Sequence, residues 1–129
     1  KLSIKELDSV IFDLTDSLGQ KNISLALQTL KELLYNKEPI QKILITLYNH
    51  LKKIYLTILA QETGNNISET LSLKPYHMFV VSNYNKQASY FKKQELRNIL
   101  ESLIDLDYKT KQGLIDINVG VEAILCMVK

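Results

Sequence analysis

The feature that most constrains the fold is a regular apolar pattern in the middle of the chain. Beyond Pro39, apolar residues recur at alternating intervals of four and three, which places them on one side of an α-helix: Ile40, Leu44, Leu47, Leu51, Ile54 and Ile58. The pattern lasts fewer than three heptads and is wider than a two-position stripe, which favours a bundle helix over a coiled coil. A long helix is therefore predicted, with Pro39 at its first position and its end near Thr63-Gly64.

Helical periodicity continues through most of the chain, and no sustained alternation of apolar and polar residues indicates a strand. Two prolines and four glycines leave few places to turn. The sequence predicts an all-α fold, a single bundle of six to seven helices over residues 1–129. Besides the central helix, the expected ranges are about Asp8–Leu18, Asn22–Leu34, Asn66–Leu73, Tyr76–Tyr90, Lys93–Lys111 and Ile117–Val128.

Local signals mark several helix ends. Asn22 is a good N-cap, and Asn66 with Glu69 three residues later resembles a capping box. Three glycines are expected at helix ends, namely Gly19, Gly64 and Gly113. Gly120 falls inside the last helix, where either close packing against a neighbouring helix or a local weakness would explain it.

Charge and composition narrow the classes of function. Sixteen basic and fourteen acidic side chains give a net charge of +2, far from the footprint of a dedicated nucleic-acid binder. The sole arginine is Arg97, which argues further against sequence-specific DNA recognition. With Cys126 as the only cysteine, an internal disulfide is impossible, which suits a reducing cytosol. No signal peptide or membrane-spanning stretch is visible, and the start at Lys1 predicts a fragment of a larger protein.

The inventory of reactive groups is thin. His50 and His77 have no carboxylate or thiol at helical ligand spacing, so a structural or surface role is expected for both. Cys126 lies in an apolar run and is expected to be buried. Asp16 and Asp107 are interpreted as structural polar groups. No catalytic, metal, cofactor or small-molecule site is therefore predicted.

Seven tyrosines are more distinctive. Tyr48 and Tyr55 are seven residues apart and share a helix face beside the apolar stripe. Tyrosine at such a position is either a half-buried edge residue or an interface anchor, and the sequence leaves both open. The interface candidates are the residues flanking the long helix and the exposed side of the penultimate one: Tyr48, Lys52, Tyr55, Arg97 and Tyr108.

Three stretches resemble the C-terminal domain of the delta subunit of the bacterial DNA polymerase III clamp loader. Ile11 to Leu18 is similar to the pattern F-x-L-x-D-A-(I/L), with Asp16 at the aspartate and Ser17 where alanine is more usual; E-P-I follows at 38–40. Residues 71–76 are similar to L-G-L-H-P-(F/Y), including Pro75, and residues 87–91 to Q-A-x-x-F. Lys92 stands where the family more usually has a serine N-cap.

The third stretch, residues 107–116, resembles D-x-x-x-K-x-G-x-x-D, and the motif has a physical sense. Asp107 and Lys111 are four apart and are expected to pair on one helix face. Gly113 suits a left-handed helix stop, and Asp116 suits the N-cap of the last helix.

The resemblance implies a collar domain that packs against other clamp-loader subunits, gamma/tau and delta-prime, in the bacterial cytoplasm. It implies AAA+-type domains elsewhere in the protein that contact the sliding clamp and DNA, and a subunit that does not hydrolyse ATP. The collar of a sister subunit is a close variant. A different class is a lysine-rich helical nucleic-acid-binding or regulatory domain, and an enzyme is a distant third.

Overall fold

The computed structural model describes residues 4–71 and 78–128, and all regular structure in this part of the chain is helical. The prediction of an all-α bundle is confirmed. The helices are α1 (Ile4–Gly19), α2 (Ile23–Tyr35), α3 (Ile40–Thr63), α4 (Ile67–Thr70), α5 (Met78–Ala88), α6 (Lys93–Lys111) and α7 (Ile117–Met127). Pro75, Tyr76 and His77, on which part of the sequence prediction rests, lie outside the described residues.

The long helix α3 lies at the centre of the bundle. It packs against α1, α4, α5, α6 and α7, whereas α2 packs against α1 and α7. Its 24 residues rise about 36 Å, enough to reach every layer of a domain of this size. The predicted stripe forms its buried side, with Leu44, Leu47, Leu51 and Ile54 in the core. Ile43 is fully buried beside them, and Ile40 and Ile58 pack at the edges.

Polar side chains cap three helix starts, as their sequence positions predict. The Asn22 side chain accepts a hydrogen bond from the Leu25 backbone N–H at 3.3 Å. Asn66 caps α4 in the same way, and the Asp116 carboxylate accepts from the N–H of Asn118 at 2.8 Å. Each bond satisfies a backbone donor that has no partner within the helix.

The stop after α1 differs from the prediction, because the left-handed residue is Lys21, with φ 61°, and not Gly19. The N–H of Asn22 donates to the carbonyl of Ser17 at 2.8 Å, and that of Lys21 donates to Leu18. These bonds form a Schellman motif. Gly19 remains helical, and its missing Cβ leaves room for the side-chain amide of Gln87. Gly64 and Gly113 have the expected left-handed conformation, each with φ 73°.

Pro39 was predicted to be the first helical residue of α3, and this is wrong. Its ψ of 125° is extended, so Pro39 is the N-cap and Ile40 begins the helix. The Pro39 carbonyl accepts from the N–H groups of Lys42 and Ile43. An ion pair supports the same turn, since the buried Glu38 carboxylate lies 2.8 Å from the Lys42 ammonium.

Three other boundaries shift for local reasons. α1 begins before the predicted Asp8, and Leu7 in this first part of the helix packs against the core. α4 ends at Thr70, three residues early, and Leu73 lies outside the described residues. α5 ends at Ala88 instead of Tyr90, because the next two N–H groups donate to carbonyls three residues back and tighten the last turn.

The prediction that Cys126 is buried is also wrong, because its side chain is exposed. The buried side of α7 is formed by other residues, namely Gly120, Val121, Ile124 and Leu125. Cys126 falls on the opposite side of the helix, so apolar neighbours in the sequence do not place it in the core.

At Gly120, α7 packs tightly against α6. The glycine is buried, and a Cβ atom added to it would overlap the Cδ1 methyl group of Leu106. Leu106 is itself only 4% exposed, so it has little room to move. Of the two explanations that the sequence left open, the structure supports close packing.

We predict that Gly120→Ala destabilises the domain. Alanine raises helix propensity by roughly 1 kcal/mol, but overpacking a core costs about 1–3 kcal/mol, so the free energy of unfolding should fall by about 1 kcal/mol. Urea denaturation followed by circular dichroism measures the change. In a Leu106→Ala background the overlap is absent, and there Gly120→Ala should stabilise. A single variant more stable than the parent protein would contradict the packing argument.

Candidate interaction surface

Helices α3 and α6 pack side by side in opposite directions. Glu62, at the end of α3, pairs with Lys93, at the start of α6, with 3.0 Å between Oε1 and Nζ. At the other end of the pair, residues 41–48 of α3 face residues 103–111 of α6. The core sides of both helices are apolar, and α6 contributes Leu96, Ile99, Leu100, Leu103 and Leu106. This packing leaves the outer sides of two long, rigid helices next to each other.

A groove of about 240 Å³ runs between the two helices on their outer side. Leu44 and Leu103 form part of its lining, and Ile45 and Ile104 line it from opposite helices. These two isoleucines are 59% and 56% exposed, respectively. Tyr108, 62% exposed, lies one helical turn beyond Ile104. The groove therefore presents branched aliphatic side chains to solvent, with the half-buried Tyr48 beside them and Gln41, Asp107 and Lys111 in the same lining, while Tyr108 lies next to it.

We refer to the outer side of this helix pair as the α3/α6 face; it comprises Ile45, Tyr48, Lys52, Tyr55, Arg97, Glu101, Ile104 and Tyr108. This definition includes the five interface candidates from the sequence, of which Tyr48 lines the groove. Tyr48 and Tyr55 are half-buried against the core, while Lys52, Arg97 and Tyr108 are exposed. The sequence prediction missed Ile45, which lies next to the buried stripe, and Ile104, since neither is among its interface candidates.

The two ends of the α3/α6 face differ in charge. At the end near Tyr108, Lys111 is paired with Asp107 at 2.9 Å, and both residues line the groove. Toward the other end, Lys52 and Arg97 form no ion pair with any described residue. Glu101, one turn from Arg97 on α6, is unpaired among the same residues. The motif residues Asp107 and Lys111 thus neutralise each other at one end of the face. At the other end, Lys52 and Arg97 have no ion-pair partner among the described residues.

A second polar arrangement lies on another side of α3 and connects three helices. Gln87 of α5 is completely buried. Its Nε2 donates to the Asp16 carboxylate of α1 at 3.1 Å, and its Oε1 accepts from Nε2 of His50 of α3 at 2.7 Å. Because the Gln87 amide forms hydrogen bonds through both Nε2 and Oε1, it gives the Asp16 carboxylate and the His50 imidazole a hydrogen-bond partner, as buried polar groups require. We call this arrangement the Asp16–Gln87–His50 relay.

The relay lies at the wall of a cleft of about 310 Å³ lined by residues of α1, α3 and α5. Burial lowers the pKa of His50, because the charged imidazolium loses its hydration there. Hydrogen bonding to Gln87 and the nearby Asp16 charge oppose this effect, and Lys53 adds to it. The Tyr84 ring lies 5.4 Å from the imidazole, and burial raises the pKa of its phenol. His50 is therefore a neutral, structurally engaged histidine near pH 7.

A lysine joins the turn after α1 to the start of α6. The ammonium group of Lys21 lies 2.9 Å from the Glu95 carboxylate and 4.7 Å from the centre of the Phe91 ring. The same carboxylate accepts from the backbone N–H of Lys92 at 3.3 Å. A lysine side chain has no acceptor, so Lys92 cannot cap α6 as a serine would, and Glu95 supplies the side-chain cap interaction at this helix start.

In residues 4–71 and 78–128, no group of three or more histidine, cysteine, aspartate or glutamate side chains is placed to hold a metal ion. The helices in this part of the chain also include none with the length and apolar character needed to cross a membrane. The geometry favours contact with other macromolecules, and the α3/α6 face is the candidate surface.

Comparison with known proteins gives three findings that agree. A family model described as "DNA polymerase III delta subunit, C-terminal domain" matches residues 8–128. The DNA polymerase III subunit delta of Bacillus subtilis is 32% identical over 125 residues, which cover 96% of this chain and 36% of that protein. The solved structure of the Bacillus subtilis DNA clamp loader delta protein superposes with a TM-score of 0.78 at 30% identity, over 95% of this chain and 36% of that one. The chain thus spans little more than a third of these relatives.

We predict that His50 makes the stability of the domain depend on pH. Its folded-state pKa is lower than the unfolded value of about 6.5, so below that pH the unfolded chain binds more protons and stability is lost as the pH falls. His50→Gln retains hydrogen-bonding capacity without the titration. Urea unfolding at pH 7.5, 6.5 and 5.5 should show a steeper loss for the parent protein, by at most about 1.4 kcal/mol per pH unit. Equal slopes in both proteins would contradict the prediction.

Proposed function

This chain belongs to the family of C-terminal domains of the DNA polymerase III delta subunit, and on that basis we propose that it is an assembly domain of a bacterial clamp loader. Its task is to bind the collar domains of other clamp-loader subunits, gamma/tau and delta-prime, and so to support loading of the sliding clamp during DNA replication. The observation that supports this most is the α3/α6 face, where exposed Ile45 and Ile104 border a groove on a well-packed domain.

The proposal divides the work between this domain and the rest of the protein. The relatives are nearly three times longer than the matched region, which leaves room for further domains. Residues 1–129 act as the single collar domain, and AAA+-like domains elsewhere contact the clamp and DNA in the bacterial cytoplasm. The domain itself acts without a cofactor or small-molecule substrate and hydrolyses no ATP.

The pairing of the lysines favours this function over nucleic-acid binding. Five lysines of the described residues form ion pairs with carboxylates: Lys21, Lys42, Lys93, Lys109 and Lys111. A phosphate backbone would have to compete with these carboxylates for each ammonium group. Binding of DNA through counterion release is therefore expected to be weak at physiological salt.

We predict that the purified chain co-elutes with purified gamma/tau and delta-prime of the same bacterium in size-exclusion chromatography with light scattering. A preparation with the helical circular dichroism spectrum of the folded domain should form this complex without ATP. It should show no ATP hydrolysis alone. Fluorescence anisotropy should detect only weak binding to a labelled DNA duplex at 150 mM salt.

The opposite pattern would reject the assembly function. A folded chain that binds none of these subunits, but binds the duplex tightly with an affinity that falls steeply with salt, would identify a nucleic-acid-binding domain instead.

A further inference from the structure

The apolar side chains of the α3/α6 face lie in two parallel rows, in which Tyr48 is half-buried and the others are exposed; all but Tyr108 line the groove. Ile45 and Tyr48 are one turn apart on α3, and Ile104 and Tyr108 are one turn apart on α6. Both rows belong to helices whose other sides are fixed in the core, so the rows are held rigidly on either side of the groove. Rigid apolar anchors around a groove are typical of binding surfaces, because little conformational entropy is lost when they are covered.

The shape of the groove matches a helix better than an extended strand or a loop. It lies between two antiparallel helices and follows their direction, as a third helix does when its side chains fit between two neighbours. The α3/α6 face also offers no row of unpaired backbone donors and acceptors, because both elements are helical, so a strand would find no main-chain partners. An amphipathic helix with apolar residues at intervals of three and four suits both rows.

Charge on the α3/α6 face indicates what the partner carries. Lys52 is seven residues after Ile45, and Arg97 is seven residues before Ile104, so each cation lies two turns along the same side of its helix. Since α3 and α6 are antiparallel, the two cations lie toward the same end of the groove. Neither has a carboxylate partner among the described residues, and Glu101 is the one acid on that part of the face.

From these observations, and resting on the proposed function, we propose that the α3/α6 groove holds an amphipathic helix of a neighbouring clamp-loader subunit that carries carboxylates. The apolar side of that helix lies between Ile45 and Ile104. Its acidic side chains lie toward Lys52 and Arg97, where the guanidinium group of Arg97 can bind a carboxylate through two parallel hydrogen bonds.

The apolar part of the proposal is tested with a matched pair of variants. Ile104→Glu places a charge in the groove, whereas Val119→Glu places the same charge on α7, outside the groove, at a residue of similar exposure. Both start from exposed side chains, so both should keep the helical spectrum and unfolding midpoint of the parent chain. In surface plasmon resonance with the purified gamma/tau and delta-prime subunits, Ile104→Glu should weaken binding roughly 30-fold or more. Val119→Glu should weaken it less than about threefold.

The charge part of the proposal is tested with charge-reversal variants, some from positive to negative and one from negative to positive. Lys52→Glu and Arg97→Glu should each weaken binding about tenfold at 50 mM salt, and by less at 500 mM, because salt screens the interaction. Glu101→Lys should leave binding unchanged or strengthen it. If Glu101→Lys weakens binding as much as Arg97→Glu does, the partner is not acidic and this part of the proposal is overturned.

The outcomes separate this inference from the proposed function. If the parent chain binds the subunits and Ile104→Glu binds them equally well, the groove is not the binding site, although the assembly function remains. A loss confined to Val119→Glu would move the site to α7. If the parent chain instead forms a homodimer that Ile104→Glu dissociates, a second copy occupies the groove. If the folded parent chain binds no subunit at all, the proposed function fails as well.

Discussion

The fold depends on the burial of α3. Among the described residues this helix of 24 residues packs against α1, α4, α5, α6 and α7, and its buried stripe forms the inner layer of the core. Burial of apolar area is the dominant favourable term in folding, so the surrounding helices are arranged by how each one covers α3. The covering is incomplete on the side beyond α6, where Ile45, Tyr48 and Lys52 remain accessible. The α3/α6 face therefore includes one of the stretches of the central helix that the fold leaves uncovered.

Polar groups inside the bundle fix the helices in one arrangement. Apolar contacts are not directional, whereas the buried Gln87 amide requires Asp16 and His50 at defined positions. The overlap that a Cβ on Gly19 would have with this amide shows how closely α1 approaches α5 there. The residues that carry two of the family resemblances, Asp16 and Gln87, are thus in contact although they lie far apart in the sequence.

Sequence periodicity predicted the helices well because the spacing of apolar residues is a local property. The bounds of α6 are those expected, α2 differs by one residue at each end, and α7 differs by one residue at its C-terminal end. The boundary errors at Pro39 and at the end of α5 have local causes, whereas two other errors concern properties that depend on partners elsewhere in the chain. Gly19 leaves room for the side chain of Gln87, which lies on another helix. Cys126 is exposed because the other side of α7 packs against α6. For the same reason, the sequence predicted only part of the candidate surface. Ile45 and Ile104 are apolar, and only the folded bundle shows that they lie outside its core.

The charge pattern along the groove gives the proposed contact a direction. Apolar rows alone would accept a helix in either orientation, because burial of apolar area has no polarity. At one end of the groove Lys111 is neutralised by Asp107, while Lys52 and Arg97 remain free toward the other. The C-terminal end of a helix carries a partial negative charge, so a partner helix is favoured when its C-terminus and its carboxylates lie at the end with the free cations. A few charged groups then determine the orientation of the partner helix and disfavour basic helices, while the apolar rows supply most of the contact area.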